Sequence, residues 1–228
     1  MDKLILLHGA LGSQAQFTQL NEMLSASFDV FDFNFEGHGG LPLTELFSID
    51  LFVRNTIDFM DAHQIKKAHF FGYSMGGYVA IKMAHDFPER VSKVITLGTK
   101  FNWTPASAER DVRMMNPDII EKKIPDFAAT LAERHYPENW KEVMQRTGEM
   151  MTRMGDGEAM TKKHFEKIEQ EVLICIGTQD HMVSIEESER TANQLRNGRL
   201  QTIDGFKHPF EAVDHKTIAD ICTDILLS

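Results

Sequence analysis

Short apolar runs alternate with stretches of helical spacing along the first hundred residues. Leu4–Leu7 is continuously apolar, and Gly9 and Gly12 break the run. Ala15–Leu24 sets Phe17, Leu20, Met23 and Leu24 at helical spacing. Phe28–Phe33 is aromatic and strand-like. Phe47–Ala62 predicts a helix with Ser48 as N-cap and Leu51, Phe52, Phe59 and Met60 on its inner side. Ala68–Phe71 predicts a strand, Gly76–His85 a helix closed by Phe87-Pro88, and Val91–Leu97 another strand. This rhythm predicts a parallel sheet with helices on both faces.

The rhythm stops at Phe101 and resumes near Val172. Val172–Ile176 and Leu200–Ile203 predict two further strands, with a helix from about Glu186 to Leu195 between them. A last helix is expected from about Phe210 to Leu227. Residues 101–165 differ: they look all-helical and are broken by Pro105, Pro117, Pro125 and Pro137. They hold 7 of the 13 methionines, and nothing in them has strand periodicity. The expected organisation is therefore a core of residues 1–100 and 166–228, interrupted by a helical insertion over 101–165.

Composition narrows the class of partner. The chain has 228 residues and a formal net charge of −10, which disfavours a nucleic-acid partner because phosphates would be repelled. At 42% hydrophobic residues it can bury a sizeable core. Two cysteines, Cys175 and Cys222, sit among apolar neighbours and exclude a disulfide scaffold. The expectation is a reduced, cytoplasmic protein. Leu4–Leu7 is too short for an export signal or a membrane span, so no membrane partner is expected. The sequence leaves the oligomeric state open.

The sharpest chemical signal is Gly72-Tyr73-Ser74-Met75-Gly76-Gly77, a G-x-S-x-G between a predicted strand and a predicted helix. A chain turning sharply there would present the Ser74 hydroxyl above the sheet, with the following helix N-terminus favouring a developing anion. A serine hydroxyl needs a base, and in this arrangement the chain order is serine, acid, histidine. Asp180 follows the predicted 172–176 strand and His208 follows the 200–203 strand, so both fall at the C-terminal edge of the sheet. Among the competitors, His181 adjoins Asp180 and points elsewhere, and His215 is expected inside the last helix. His69 lies in a strand, His85 near a helix end, and His135 and His164 in the insertion. Asp204 and Asp214 are the weaker acids by position. The oxyanion needs two donors, for which the backbone N–H groups of Met75 and Ala10 are the candidates. Such a site calls for no metal and no cofactor.

These residues together resemble the α/β-hydrolase superfamily. The resemblance rests on Leu7-His8-Gly9-Ala10, Gly37-His38-Gly39, the 72–77 motif, Phe87-Pro88-Glu89-Arg90-Val91, Gly177-Thr178-Gln179-Asp180 and His208, in the family's order. It implies a three-layer α/β fold whose helical insertion is a cap (lid). Only seven residues precede His8, so a trimmed, all-parallel sheet of six strands is expected in place of the family's longer one. Asn34 stands where the family often has Asp, and Lys207 where it often has Gly.

Three functions compete. The first is a serine hydrolase cleaving a carboxylic ester or similar small acyl compound through an acyl-enzyme on Ser74. The second is a carbon–carbon bond hydrolase, or a lyase of the menaquinone-pathway type. That lyase branch usually has Arg after the paired glycines, where this chain has Tyr78. The third is a non-catalytic binding protein on the same fold. Leu11, Tyr73, Trp103 and Met182 are the candidate substrate contacts. The methionine-rich insertion, with ten basic against eleven acidic residues, suggests a largely apolar small-molecule substrate, with most of its methionines merely packing insertion on core. Gly155 and Gly157 are expected to let the insertion shift.

Overall fold

The computed structural model describes all residues, 1–228. A parallel sheet of six strands forms its centre: β1 (Lys3–Leu7), β2 (Asp29–Asp32), β3 (Ala68–Tyr73), β4 (Val91–Leu97), β5 (Glu171–Gly177) and β6 (Asn197–Ile203). Their order is β2-β1-β3-β4-β5-β6, and every neighbouring pair is parallel. The chain builds first to one side of β1 and then to the other. The β1/β3 boundary is thus a topological switch point, where the loops after neighbouring strands diverge and leave a crevice.

Side-chain alternation along β1 separates two cores. Ile5 and Leu7 join the larger one with helices α2 (Ile49–Ala62), α3 (Met75–Asp86) and α9 (Ile185–Ala192). Leu4 and Leu6 join the other with α1 (Thr18–Leu24) and α10 (His215–Leu226). Ser48 caps α2 by accepting from the Leu51 N–H at 3.0 Å. Leu51, Phe52 and Met60 are buried beneath that helix, whereas Phe59 is half-buried and stacks on Phe33.

Two expected helices are shorter than their apolar spacing suggested. The first opens as a 3₁₀ turn over Gln14–Phe17 before α1, and Met23 faces solvent. The last begins only at His215: a 3₁₀ turn over Phe210–Ala212 precedes it, Val213 is extended, and Asp214 caps α10 by accepting from the Thr217 N–H. His215 is consequently at the start of the helix and its ring stacks on Phe210.

Between β4 and β5 lie five helices: α4 (Pro105–Arg113), α5 (Pro117–Lys123), α6 (Pro125–His135), α7 (Trp140–Arg153) and α8 (Lys162–Phe165). Three of them begin on the prolines that interrupt the sequence, since proline fits the first helical turn. The insertion has its own small core of Ile120, Ala128, Leu131, Trp140 and Met144. Val143, Met150, Met154, Met160 and Phe165 instead merge with the larger core of the sheet. Gly155 is a packing position: a Cβ there would lie 2.6 Å from Ala108 Cβ and 2.9 Å from the Thr104 carbonyl. It therefore clamps α4 against the turn after α7 and supplies no freedom. Gly157, at φ 119° with open space around it, is the conformationally free glycine of the pair.

Both cysteines are free and buried. No helix is long and apolar enough to cross a membrane.

Candidate active site

Ser74 sits between β3 and α3 with φ 51° and ψ −115°, a strained conformation for a residue with a side chain. The surroundings over-determine it. Its N–H donates to the Leu97 carbonyl at 2.8 Å, and its own carbonyl accepts from the Gly77 N–H and from Thr99 Oγ1. The turn closes only because glycines flank it. A Cβ on Gly76 would lie 2.0 Å from the Leu7 carbonyl oxygen, and one on Gly72 would lie 2.4 Å from Gly77.

His208 Nε2 faces Ser74 Oγ at 3.3 Å, and His208 Nδ1 lies 2.8 Å from Asp180 Oδ2. With Nδ1–H donating to the carboxylate, Nε2 is free to accept from the hydroxyl. The other carboxylate oxygen of Asp180 accepts from the N–H groups of Met182 and Val183, at 2.8 and 2.9 Å. Burial works to raise the Asp180 pKa. The hydrogen bond and charge of His208, with the two backbone donors, outweigh it and hold the carboxyl below its ordinary value. Gly98, at φ 61°, passes against this pair: a Cβ there would be 3.2 Å from Asp180 Oδ2. Neither Gly98 nor Thr99 stands out in the sequence, because their roles come from strands meeting side by side.

The loop after β1 completes the rim. Gly12 N–H closes it onto the Gly9 carbonyl at 3.1 Å, and Leu11 adopts φ 57°. Gly9 allows the loop to touch β3, since a Cβ would lie 2.7 Å from the Tyr73 ring. Two buried histidines brace this loop, and a third, which donates to the Glu36 carbonyl, packs between them. His8 Nδ1–H donates to the Gly9 carbonyl at 2.8 Å, while Nε2 accepts from the Phe35 N–H. His135 Nε2–H donates to the Leu11 carbonyl at 3.2 Å, and Arg134 donates to the same oxygen at 2.9 Å. His38 lies between them, with ring centroids 5.1 Å from His8 and 5.7 Å from His135. Burial pushes His8 down to about 4, against the opposing hydrogen bond to Gly9. Burial likewise pushes His135 down to about 4, and His38 well below its ordinary value. Each ring is therefore a neutral hydrogen-bonding strut.

A cavity of about 310 Å³ opens over Ser74 and His208. Ala10, Leu11, Met75, Trp103 and Met182 line it, together with Tyr78, Ile49 and Phe127. Met114, Met115, Met144, Met150, Met151 and Met154 also line it, so six of the seven insertion methionines reach the cavity, where sequence reasoning assigned most of them to packing alone. Several do both, because the cavity runs along the seam between insertion and core. Tyr73 is a correction. As the residue two after Phe71 it points into the α1/α10 core, and its hydroxyl donates to the His208 carbonyl at 2.9 Å. It supports the backbone of His208 and does not line the cavity. Tyr78 does line it, and its hydroxyl accepts from the Met160 N–H at 2.6 Å. Lys100 and Asp111 also line the cavity, and neither drew notice in the sequence.

Fold, elbow and crevice define the class, and the chain belongs to the family of the alpha/beta hydrolase fold, whose sequence profile matches residues 3–150. Among curated relatives, a pimeloyl-[acyl-carrier protein] methyl ester esterase of Vibrio campbellii is 32% identical over 132 residues, covering 56% of this chain and 49% of that protein. A Bacillus subtilis protein provisionally named a 2-succinyl-6-hydroxy-2,4-cyclohexadiene-1-carboxylate synthase is 33% identical over 132 residues, covering 55% and 45%. These matches span about half the length of the relatives. Among solved structures, the 2-hydroxy-6-oxo-6-phenylhexa-2,4-dienoate hydrolase of a Rhodococcus species superposes with a TM-score of 0.82 at 19% identity, covering 100% of this chain and 91% of that one. That likeness concerns the fold.

Proposed function

We propose that the protein is a serine hydrolase cleaving a carboxylic ester or a similar small acyl compound. The observation that carries this reading is the Ser74–His208–Asp180 relay, with contacts of 3.3 and 2.8 Å, at a strained strand-to-helix turn beneath an apolar cavity.

Ser74 Oγ attacks the acyl carbon while His208 Nε2 takes its proton. Asp180 fixes the tautomer of His208 and stabilises the imidazolium. The tetrahedral oxyanion accepts from the N–H groups of Met75 and Ala10. Met75 is the first residue of α3, where no intrahelical acceptor exists for its N–H, and the Ala10 N–H donates to no acceptor within the protein. Collapse expels the alcohol, protonated by His208, and leaves an acyl-Ser74. Water, deprotonated by His208, then releases the acid.

Residues 101–165 act as the cap in this reading. Their methionines adapt to acyl groups of different shape, and Leu11, Trp103 and Met182 complete the walls. The substrate is a small, largely apolar molecule.

The Bacillus relative favours one alternative, a lyase acting on a carboxylate-rich substrate. Against it, the position after the paired glycines is Tyr78, a phenol whose burial pushes its pKa up, and the one lysine on the cavity wall, Lys100, is already paired with Asp111.

The experiment is a series of p-nitrophenyl esters of rising acyl length, set beside one anionic substrate of equal size. Ester turnover with covalent fluorophosphonate labelling is expected. Both should vanish in Ser74→Ala, with a loss on the order of 10⁴–10⁶ in kcat. Turnover near wild type in that variant, or a clear preference for the anionic substrate, overturns the reading.

A further inference from the structure

Sixteen of the twenty residues lining the cavity are hydrophobic, and the four polar ones are Ser74, His208, Lys100 and Asp111. The first two engage each other. The second two form a separate polar station on the wall, and the relay makes no use of it.

Lys100 lies in the segment leaving β4, and Asp111 on α4 of the insertion. Lys100 Nζ is 2.8 Å from Asp111 Oδ2, and the two side chains are only 10% and 9% exposed. Arg110 Nε reaches the other carboxylate oxygen at 3.1 Å from the solvent side. Both oxygens of Asp111 are thus occupied. The Lys100 ammonium carries three N–H donors, is paired with the carboxylate as an ion, and lies 5.2 Å from the Trp103 ring. Donors are left over against an otherwise apolar wall.

Burying an ion pair is costly, and a well-packed apolar pair of similar volume is often as stable or more so. A buried pair at the wall of a substrate cavity is therefore poorly explained by stability. Its charge balance restricts what it can bind. At the cavity wall Asp111 balances Lys100, and the second cation on Asp111, Arg110, is 64% exposed and screened by solvent, so a second carboxylate brought beside Nζ would be buried against only that screened surplus charge. A neutral oxygen accepts a charge-assisted hydrogen bond from Nζ and adds no net charge.

We propose that Lys100, held by Asp111, is a specificity residue that donates a hydrogen bond to a neutral oxygen, a ketone, ester or hydroxyl, on the apolar part of the substrate away from the scissile carbonyl. The proposal rests on the ester-hydrolase reading and narrows it to oxygenated acyl or alcohol groups.

The test uses p-nitrophenyl esters of one chain length. One set is plain alkyl, one carries a single oxo group walked along the chain, and one ends in a carboxylate. In the wild type, at least one oxo position should raise kcat/KM on the order of ten-fold or more above the alkyl ester, the scale of one charge-assisted hydrogen bond. Lys100→Met alone would strand the Asp111 charge, so the deciding variant is Lys100→Met with Asp111→Leu, which removes both charges together. It should bring the oxo-to-alkyl ratio to about one, while Lys100→Arg keeps a preference. A merely structural pair would lower every ester by the same factor and leave the ratio intact, which overturns the proposal. So does the absence of any oxo preference in the wild type, or a preference for the carboxylate. Failure of the ester reading shows separately, as no Ser74-dependent turnover of any ester. In that case the matching free ketone should still raise the Tm of the wild type and not that of the double variant, and equal shifts overturn the proposal.

Discussion

Lowering the pH from 7 towards 4.5 is expected to remove a large part of the folding stability through His8, His38 and His135. All three are fully buried and neutral in the fold. His8 has its pKa lowered from 6.5 to about 4, so below pH 6.5 the unfolded chain takes up a proton that the folded chain refuses. Stability is complete above 6.5 and falls with falling pH through the interval down to about 4. A gap of that size corresponds to about 3 kcal/mol for His8 alone, at 1.36 kcal/mol per pH unit. His135 has a gap of the same size, and His38 moves in the same direction. The rings lie 5.1 and 5.7 Å apart, so in the fold one imidazolium opposes the next, whereas in the unfolded chain all three protonate freely. Against a typical stability of about 5–15 kcal/mol, one or two pH units suffice to bring the midpoint of unfolding into reach. The assay is equilibrium urea unfolding at steps between pH 7.5 and 5. Asp180, Glu36, Asp86 and Glu211 all have lowered carboxyl pKa values, so their losses begin only below that window. His69 and His164 shift with the cluster, so one variant must isolate it. His135→Gln keeps a donor for the Leu11 carbonyl and should reduce the slope by about one proton, roughly 1.4 kcal/mol per pH unit. Stability that stays flat from 6.5 to 5, or a slope unchanged in His135→Gln, would refute the reasoning.

Two further outcomes concern the relay and the elbow. His208→Ala should cut ester turnover on the order of 10⁴–10⁶, while the exposed His181 should tolerate alanine with only a small change; equal damage from the two would displace the base from His208. Gly76→Ala forces a Cβ to within 2.0 Å of a backbone oxygen in β1, so it should cost on the order of 4 kcal/mol in urea unfolding, and a wild-type Tm would show that the turn can relax.

The elbow and the strand rhythm were legible in the sequence because they are local. Glycine spacing around Ser74 and apolar runs such as Val91–Leu97 carry their own geometry, and that strand occupies the very residues expected. Strand number and direction were legible through the family resemblance, but strand order was not, since nothing in a single run states its neighbour. What escaped was long-range. Tyr73 sits one residue before the nucleophile, yet period-two alternation sends it to the opposite face of the sheet. His135 looked like one more histidine of the insertion, and its partner, the Leu11 carbonyl, lies 124 residues away. Lys100 and Asp111 are eleven positions apart on different elements, without helical spacing to pair them. Gly155 carried the composition of a hinge and the contacts of a clamp, because a glycine admits either use until its neighbours are known.

The cavity and the core are built from shared material. Met150 and Met154 belong to the larger hydrophobic core and also line the cavity, and Met144 does the same for the small core of the insertion. In the proposed function, substrate space is therefore a gap left where the insertion meets the sheet, bounded by side chains that also belong to the hydrophobic cores. Branched residues at those positions would fix the gap in one shape, because their rotamers are restricted. Methionine has three rotatable bonds and no branch, so the same side chains can relax into the gap when it is empty and withdraw when an acyl group enters. Polar groups behave in the opposite way here. Ser74 and His208 are tied by hydrogen bonds to β3, β4 and the loop after β4, and Asp180 to the end of β5 and the loop that follows it. On the proposed function, the reacting groups are thus held by the sheet and its loops while most of the adaptable methionines belong to the insertion, so substrate range could change without disturbing the relay.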